Sequence, residues 1–379
     1  MNILIAIDSL KGSLSSMEAG QAIAEGINEV SPASHVNVLP LADGGEGTVE
    51  ALVTATNGKF VTTTVTGPLY EKIETTYGIL GDQQTAVIEI ATACGLPLIP
   101  LEKRNPYVTT SFGVGELILD AIGRGCRQFV VGLGGSATND AGVGMLQALG
   151  FHFLDKHGDE VGFGGLALNN IAHIDSSQAE PKLKECTFRI ACDVNNPLYG
   201  PTGASYIFGP QKGATPEMVE KLDKSLQHFA QVVKKQQGID LQQIPGSGAA
   251  GGLGAAFAGF LNGSLQSGIE IVLEIIQLEA TLDQVDLVFT GEGKLDGQTA
   301  MGKAPLGVAK AAKKHNIPVI ALGGGVTKEA VNLHEYGVTS LFPIVSGPMS
   351  LEEAMNSKTT FYHLKTTASQ IMRLIQAFS

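Results

Sequence analysis

The chain alternates between two hydrophobic rhythms, and the change of rhythm marks its organisation. Ile3 to Ile7 is an unbroken apolar run, the pattern of a strand buried on both faces of a parallel sheet. A polar corner follows, from Asp8 to Ser13. Ser15 and Glu18 then fit a capping box, and Ala19, Ala22, Ile23, Gly26, Ile27 and Val30 keep helical spacing until Pro32. Val36 to Leu41 predicts a second strand, which ends at Ala42-Asp43-Gly44-Gly45-Glu46-Gly47-Thr48 with a helix after it. The last hundred residues repeat this grammar. Leu287 to Thr290 predicts a strand that enters a loop at Gly291-Glu292-Gly293-Lys294. Pro305 opens a helix that closes on Lys313 and Lys314, where the helix dipole favours cations. Pro318 to Leu322 predicts a strand that stops at Gly323-Gly324-Gly325, a short helix ends at Gly337, and Ser340 to Val345 reads as one more strand. Phe361 to Phe378 has the spacing of an amphipathic helix.

Between these ends the rhythm differs. Lys59 to Leu80 alternates Thr, Val, Ile and Tyr across Gly67-Pro68, which predicts an antiparallel hairpin. Phe129 to Leu133 and Phe188 to Cys192 read as short buried strands, and helices are expected over Gly113–Ile122, Ala141–Leu149 and Pro216–Lys235. Strands alternating with helices imply an α/β protein with parallel sheets. The expected division is an α/β domain formed by residues 1–61 and 281–379, with a mixed α/β domain, residues 62–280, inserted in it.

Composition narrows the function classes. Hydrophobic residues make up 44% of the 379, enough for two cores and too many for a disordered chain. The net charge is −12 with no basic block, which argues against nucleic acid as a partner. No run reaches the apolar length of a membrane span, and the first residues lack a basic signal-peptide start. Cys94, Cys126, Cys186 and Cys192 show neither zinc-type nor disulfide-framework spacing. A cytoplasmic location is expected, and a homo-oligomer is compatible with the sequence.

The 48 glycines carry more information, because they cluster where strands end. Ligands of open α/β sheets bind at the carboxyl ends of strands, and glycine lets backbone amides approach phosphate closely. The strongest cluster is Gly134-Gly135-Ser136-Ala137-Thr138-Asn139-Asp140, between an apolar strand and a helix. Gly246-Ser247-Gly248-Ala249-Ala250-Gly251 formally matches the dinucleotide fingerprint, but Pro245 precedes it instead of a clean strand. A Walker A loop, a serine elbow and a zinc-protease motif are absent. Asp8, Asp43, Glu46, Asp140, Asp193, Glu292 and Asp296 lie at the same corners, accompanied by Lys11, Lys294 and Lys303. Acid, lysine and glycine-rich loop together are what phosphoryl transfer requires. The plainer reading makes the acids helix caps and ion-pair partners, Asp8 and Asp140 above all.

Six of these motifs, in order, resemble the type I glycerate kinases. They are Ile7-Asp8-Ser9-Leu10-Lys11-Gly12-Ser13, the Ala42–Thr48 corner, the Gly134–Asp140 loop, Cys192-Asp193-Val194-Asn195-Asn196-Pro197-Leu198, the Pro245–Gly252 cluster, and Thr290-Gly291-Glu292-Gly293-Lys294-Leu295-Asp296. The resemblance spans nearly the whole chain. It implies a Rossmann-like domain, discontinuous in sequence, with a second α/β domain inserted. It also implies ATP-dependent phosphorylation of D-glycerate, giving 2-phosphoglycerate in bacterial members, with 3-phosphoglycerate left open as product.

On that footing, Asp193 is expected to act as general base on the glycerate hydroxyl in a cleft between the domains, with Asp8 and Lys11 as further catalytic residues. Ser13 and Lys11, at the start of the first helix, would hold the substrate carboxylate or the transferring phosphate. Gly134, Gly135, Ser136, Thr138, Ser247, Gly291, Gly293, Lys294 and Lys303 would bind substrate or phosphate, and Asp43 and Asp296 would hold Mg²⁺. Two alternatives stay open: a nicotinamide-dependent dehydrogenase using the Gly246 cluster, and a non-catalytic nucleotide sensor.

Overall fold

The structure, a computed structural model, describes residues 1–378, the Met301 side chain excepted. Thirteen strands are formed among the described residues: β1 (Asn2–Ile7), β2 (His35–Val38), β3 (Lys59–Thr66), β4 (Lys72–Ile79), β5 (Thr85–Glu89), β6 (Gln128–Gly132), β7 (His152–Leu154), β8 (His173–Asp175), β9 (Thr187–Ala191), β10 (Ser264–Gln266), β11 (Leu287–Leu295), β12 (Val319–Val326) and β13 (Ser340–Pro343). The chain divides into two compact units. One comprises Met1–Asp43, Glu50–Thr56 and Ile269–Ser379; the other comprises Gly44–Val49 and Asn57–Gly268.

The first unit is built on a five-stranded sheet in the order β13-β12-β11-β1-β2, every pairing parallel. Counted along the chain within this unit, that order is 2-1-3-4-5, the flavodoxin-like arrangement. Connections leave β1 and β11 in opposite directions across the sheet, so a crevice opens where their carboxyl ends meet. Ile3, Ile5 and Ile7 alternate toward a core shared with Ala19, Ile23 and Ile27 of the helix Ser16–Val30 and with Leu364, Ala368 and Ile371 of the terminal helix Ser357–Phe378. Each such aliphatic burial contributes roughly 1.5–3 kcal/mol. The Ser15–Glu18 capping box forms as expected.

Two expectations are corrected here. The loops placed at Gly291–Lys294 and Gly323–Gly325 are strand: β11 and β12 run on through their glycines to Leu295 and Val326. A Cβ on Gly291 would lie 2.1 Å from the Leu322 carbonyl oxygen, so glycine is what lets the two strands stay paired there. Lys11 and Ser13 likewise do not begin a helix. They lie in a turn closed by the Ser13 and Leu14 amides donating to the Leu10 carbonyl, and the helix starts three residues after Ser13.

The second unit carries a six-stranded mixed sheet in the order β10-β9-β6-β5-β4-β3. The expected hairpin is β3–β4, antiparallel with Val65 opposite Ile73. From β5 onward the strands are parallel, which aligns the carboxyl ends of β5, β6, β9 and β10 along one edge. The core beneath is aromatic as well as aliphatic, with Phe129 stacked on Phe188 at 4.8 Å and Phe188 beside Phe257. The strand Thr85–Glu89 was not anticipated.

Candidate active site

In the first unit, the crevice between the ends of β1 and β11 is a pocket of about 450 Å³. Asp8 follows β1 directly and is only 2% exposed. Its carboxylate accepts the Ser9 amide at 2.6 Å. Burial, reinforced by the charge of Asp43, pushes the Asp8 carboxyl up to about 7. Lys11 reaches Asp43 at 3.6 Å. Burial works against the Lys11 ammonium, but Asp43 and Asp8 outweigh it and hold its pKa above the usual lysine value.

Across the crevice, Glu292 of β11 is buried and accepts the Thr299 hydroxyl at 2.5 Å, with Lys303 at 3.3 Å from its other oxygen. Burial raises its pKa against the pull of Thr299 and Lys303. Lys294 lies 3.5 Å from Asp296. Burial would raise the Asp296 carboxyl, but the Gln298 amide, Lys303 and Lys294 bring it below the ordinary value. Thr299 joins the two acids, since its hydroxyl also accepts the Asp296 amide at 2.9 Å. Gly293 lines the pocket, whereas Gly291 is buried within the strand ladder. Ser13 also lines it, its hydroxyl hydrogen-bonded to Thr360 at 2.6 Å. Asp8, Lys11, Ser13, Gly293, Lys294, Lys303, Asp43 and Asp296 are therefore brought together in one unit, with Glu292 among them.

The remaining candidates belong to the second unit, along the carboxyl edge of its parallel strands. Gly134 and Gly135 follow β6 and are exposed, Gly135 in the left-handed region at φ +74°. Ser136 and Thr138 turn inward. Asp193 follows β9, is exposed, and accepts the Gly268 amide at 3.1 Å. Ser247 is fully buried, its hydroxyl without a hydrogen-bond partner, as are Thr138 Oγ1 and Asn139 Oδ1.

The Gly246 cluster does not open toward a ligand. A Cβ on Gly248 would sit 2.1 Å from the Pro197 carbonyl oxygen, and one on Gly251, at φ +69°, 2.0 Å from that of Thr138. Its glycines let this loop lie against the Gly134 loop and the Asp193 turn. That is a packing role, and it removes the physical basis of the dinucleotide reading. Asp140 is buried beside the start of the helix Phe112–Gly123, where its carboxylate accepts the Ser111 amide and hydroxyl at 2.9 and 2.8 Å. Asp8, by contrast, caps no helix.

Lys212 escaped sequence reasoning altogether. It is 2% exposed, and its ammonium donates to Ser136 Oγ at 2.9 Å and to the Thr138 carbonyl at 2.6 Å. Burial lowers its pKa to about 8, partly offset by Cys94 and Asp140. A lysine normally reads as solvent-facing. The only local signal is the compact Gly209-Pro210-Gln211-Lys212-Gly213.

A family model, the glycerate kinase family, matches residues 3–376. The chain belongs to the glycerate kinase family. It is 50% identical to glycerate 2-kinase of Escherichia coli K12 over 354 residues, 93% of either chain. It is 47% identical to glycerate kinase of Bacillus subtilis 168 over 99% of this chain and 98% of the relative. A crystal structure of a candidate glycerate kinase 2 from Salmonella typhimurium LT2 superimposes with a TM-score of 0.90 at 44% identity, covering 100% of this chain and 98% of the other.

Proposed function

We propose that this chain is a glycerate kinase that moves the γ-phosphoryl group of ATP to the 2-hydroxyl of D-glycerate. Family membership supports the kinase class, and the name of the E. coli relative supports the 2-hydroxyl as acceptor. The observation that carries the reading is the acid–lysine cluster at the β1/β11 crevice. Phosphoryl transfer is largely a matter of positioning and neutralising phosphate charge, and three lysines lining one crevice meet that demand.

In this mechanism Lys11 neutralises the transferring phosphoryl group, kept cationic chiefly by Asp43. Asp8 exchanges its proton near neutrality, so it stands beside phosphate oxygens as a neutral donor without repelling them. Asp193 accepts the hydroxyl proton of glycerate, and the exposed Gly134 and Gly135 amides orient an anionic oxygen of the substrate. No three His, Cys, Asp or Glu converge as a metal cage among the described residues. That fits Mg²⁺, which is usually held by one or two carboxylates together with phosphates and water. Asp43 and Asp296 offer the hard oxygens for it, and bound there it would supply neutralisation of the phosphate charge. The four cysteines are unpaired and no described helix is long and apolar enough to cross a membrane, in keeping with a cytoplasmic setting.

Coupled ADP release over a panel of small hydroxy acids tests the reading, followed by phosphorus NMR to locate the phosphate. D-Glycerate should stand out and the ester should lie on the 2-oxygen. ADP release indifferent to glycerate would reject the reading, and a 3-phosphate would reject the regiochemistry.

A further inference from the structure

The pocket of the first unit is two-sided, and the chemistry described so far uses only one side. Beyond Lys11 and Glu292 its wall becomes apolar: Ile344, Val345, Met349, Leu351 and Met355 line it. Leu351 is 76% exposed and Met355 39% exposed, unusual for large apolar side chains that border a concave site. The apolar wall adjoins the charged end directly. The Met355 Cε lies 2.8 Å from where a Cβ on Gly12 would stand, next to Lys11 in the same turn.

Glycerate cannot account for this wall. It is a three-carbon acid with an oxygen on every carbon, and set against methionine and leucine its hydroxyls would be desolvated without partners. A pocket of about 450 Å³ is also far larger than so small an acid fills. A nucleotide has the matching asymmetry, a flat apolar base at one end and phosphates at the other. Methionine and leucine suit the base because flexible apolar side chains mould to an aromatic face.

We propose that Ile344, Met349, Leu351 and Met355 seat the base of the nucleotide, which makes the first unit the nucleotide-binding unit and directs the phosphates toward Lys11, Lys294 and Lys303. This rests on the reading of the chain as an ATP-consuming kinase. The base lies on the strand-β13 side of the crevice, and the γ-phosphate lies at the β1/β11 end.

Photolabelling with 8-azido-ATP followed by peptide mapping tests the placement without requiring turnover. Label within residues 344–363, competed by unlabelled ATP, is the expected result. Competable label confined to residues 134–142 or 245–252 overturns the proposal. Steady-state kinetics give the second arm. Met355→Glu should raise the KM for ATP by about tenfold, since a carboxylate against the base is desolvated, while the KM for glycerate stays within about twofold. Met355→Leu should restore the KM for ATP, which separates lost base contact from a folding defect. A Met355→Glu enzyme with an unchanged KM for ATP overturns the proposal. Failure of the underlying kinase reading looks different: the unaltered protein would then release no ADP with any hydroxy acid, whatever the labelling showed.

Discussion

Lys212 offers a direct measurement of what an interior charge costs this fold. A lysine normally loses its proton at 10.5; here burial brings that down to about 8. The difference corresponds to about 3 kcal/mol between the charged and neutral forms. The sign follows from proton counting. Between about pH 8 and 10.5 the unfolded chain holds the Lys212 proton and the folded chain has released it, so stability rises with pH across that window. Below it both states are protonated and the folded state bears the full cost of the buried ammonium. Lys212→Met removes the titration but also leaves the Thr138 carbonyl without its 2.6 Å donor, so the absolute stability change mixes two effects. The pH slope does not. Urea unfolding of both proteins from pH 7.5 to 10.5 should show the wild type gaining about 3 kcal/mol relative to Lys212→Met as pH rises. Carbon-13 NMR of ε-labelled lysine should show one ammonium titrating near 8 and missing from the variant. A parallel pH dependence of the two proteins, with no lysine titrating below about 9.5, would refute the argument.

Other substitutions separate the roles of the site residues. Asp193→Asn should lower kcat by about 10²–10⁴ with the thermal midpoint unchanged, because it removes a proton acceptor from an exposed side chain; near-normal turnover would end its role as base. Lys11→Ala should cut kcat or raise the KM for ATP by at least about tenfold, since a desolvated phosphate contact is lost; unchanged kinetics would make Lys11 merely a surface lysine. Gly251→Ala should cost about 2–4 kcal/mol in thermal or urea unfolding, as a side chain at φ +69° meets the Thr138 carbonyl at 2.0 Å. A loss below about 0.5 kcal/mol would mean the loop relaxes freely.

How legible the molecule was depends on whether a residue's role is local. The strand at Ile3–Ile7, the Ser15–Glu18 cap and the hairpin across Gly67-Pro68 are written in neighbouring residues, and each stands in the fold as read. β11 and β12 were cut short at their glycines because glycine is a poor strand former on its own. What keeps them extended is the partner strand, close enough that a side chain at Gly291 would strike it. Thr85–Glu89 was invisible for a related reason: it is short and follows a tight turn, and its identity comes from lying between β4 and β6. Among site residues, Asp8, Asp43, Lys11, Lys294, Lys303 and Asp296 were legible because each stands in or near a corner that the apolar pattern puts at the end of a strand. Lys212 was not, because it acts on a loop 74 residues away.

The charge of the molecule is also best understood at the crevice. A net −12 opposes the approach of any anion, and the crevice does not reverse that sign by itself. Three lysines, Lys11, Lys294 and Lys303, stand against four carboxylates, Asp8, Asp43, Glu292 and Asp296. Burial eases the imbalance by raising the carboxyl pKa of Asp8, to about 7, and that of Glu292, which moves this end toward neutrality. A near-neutral pocket attracts a free triphosphate weakly and tolerates a triphosphate that carries its own divalent counter-charge. Under the proposed function, Asp43 and Asp296 would hold Mg²⁺ while the lysines meet the phosphates, so the crevice would favour the magnesium complex of the nucleotide over the free triphosphate.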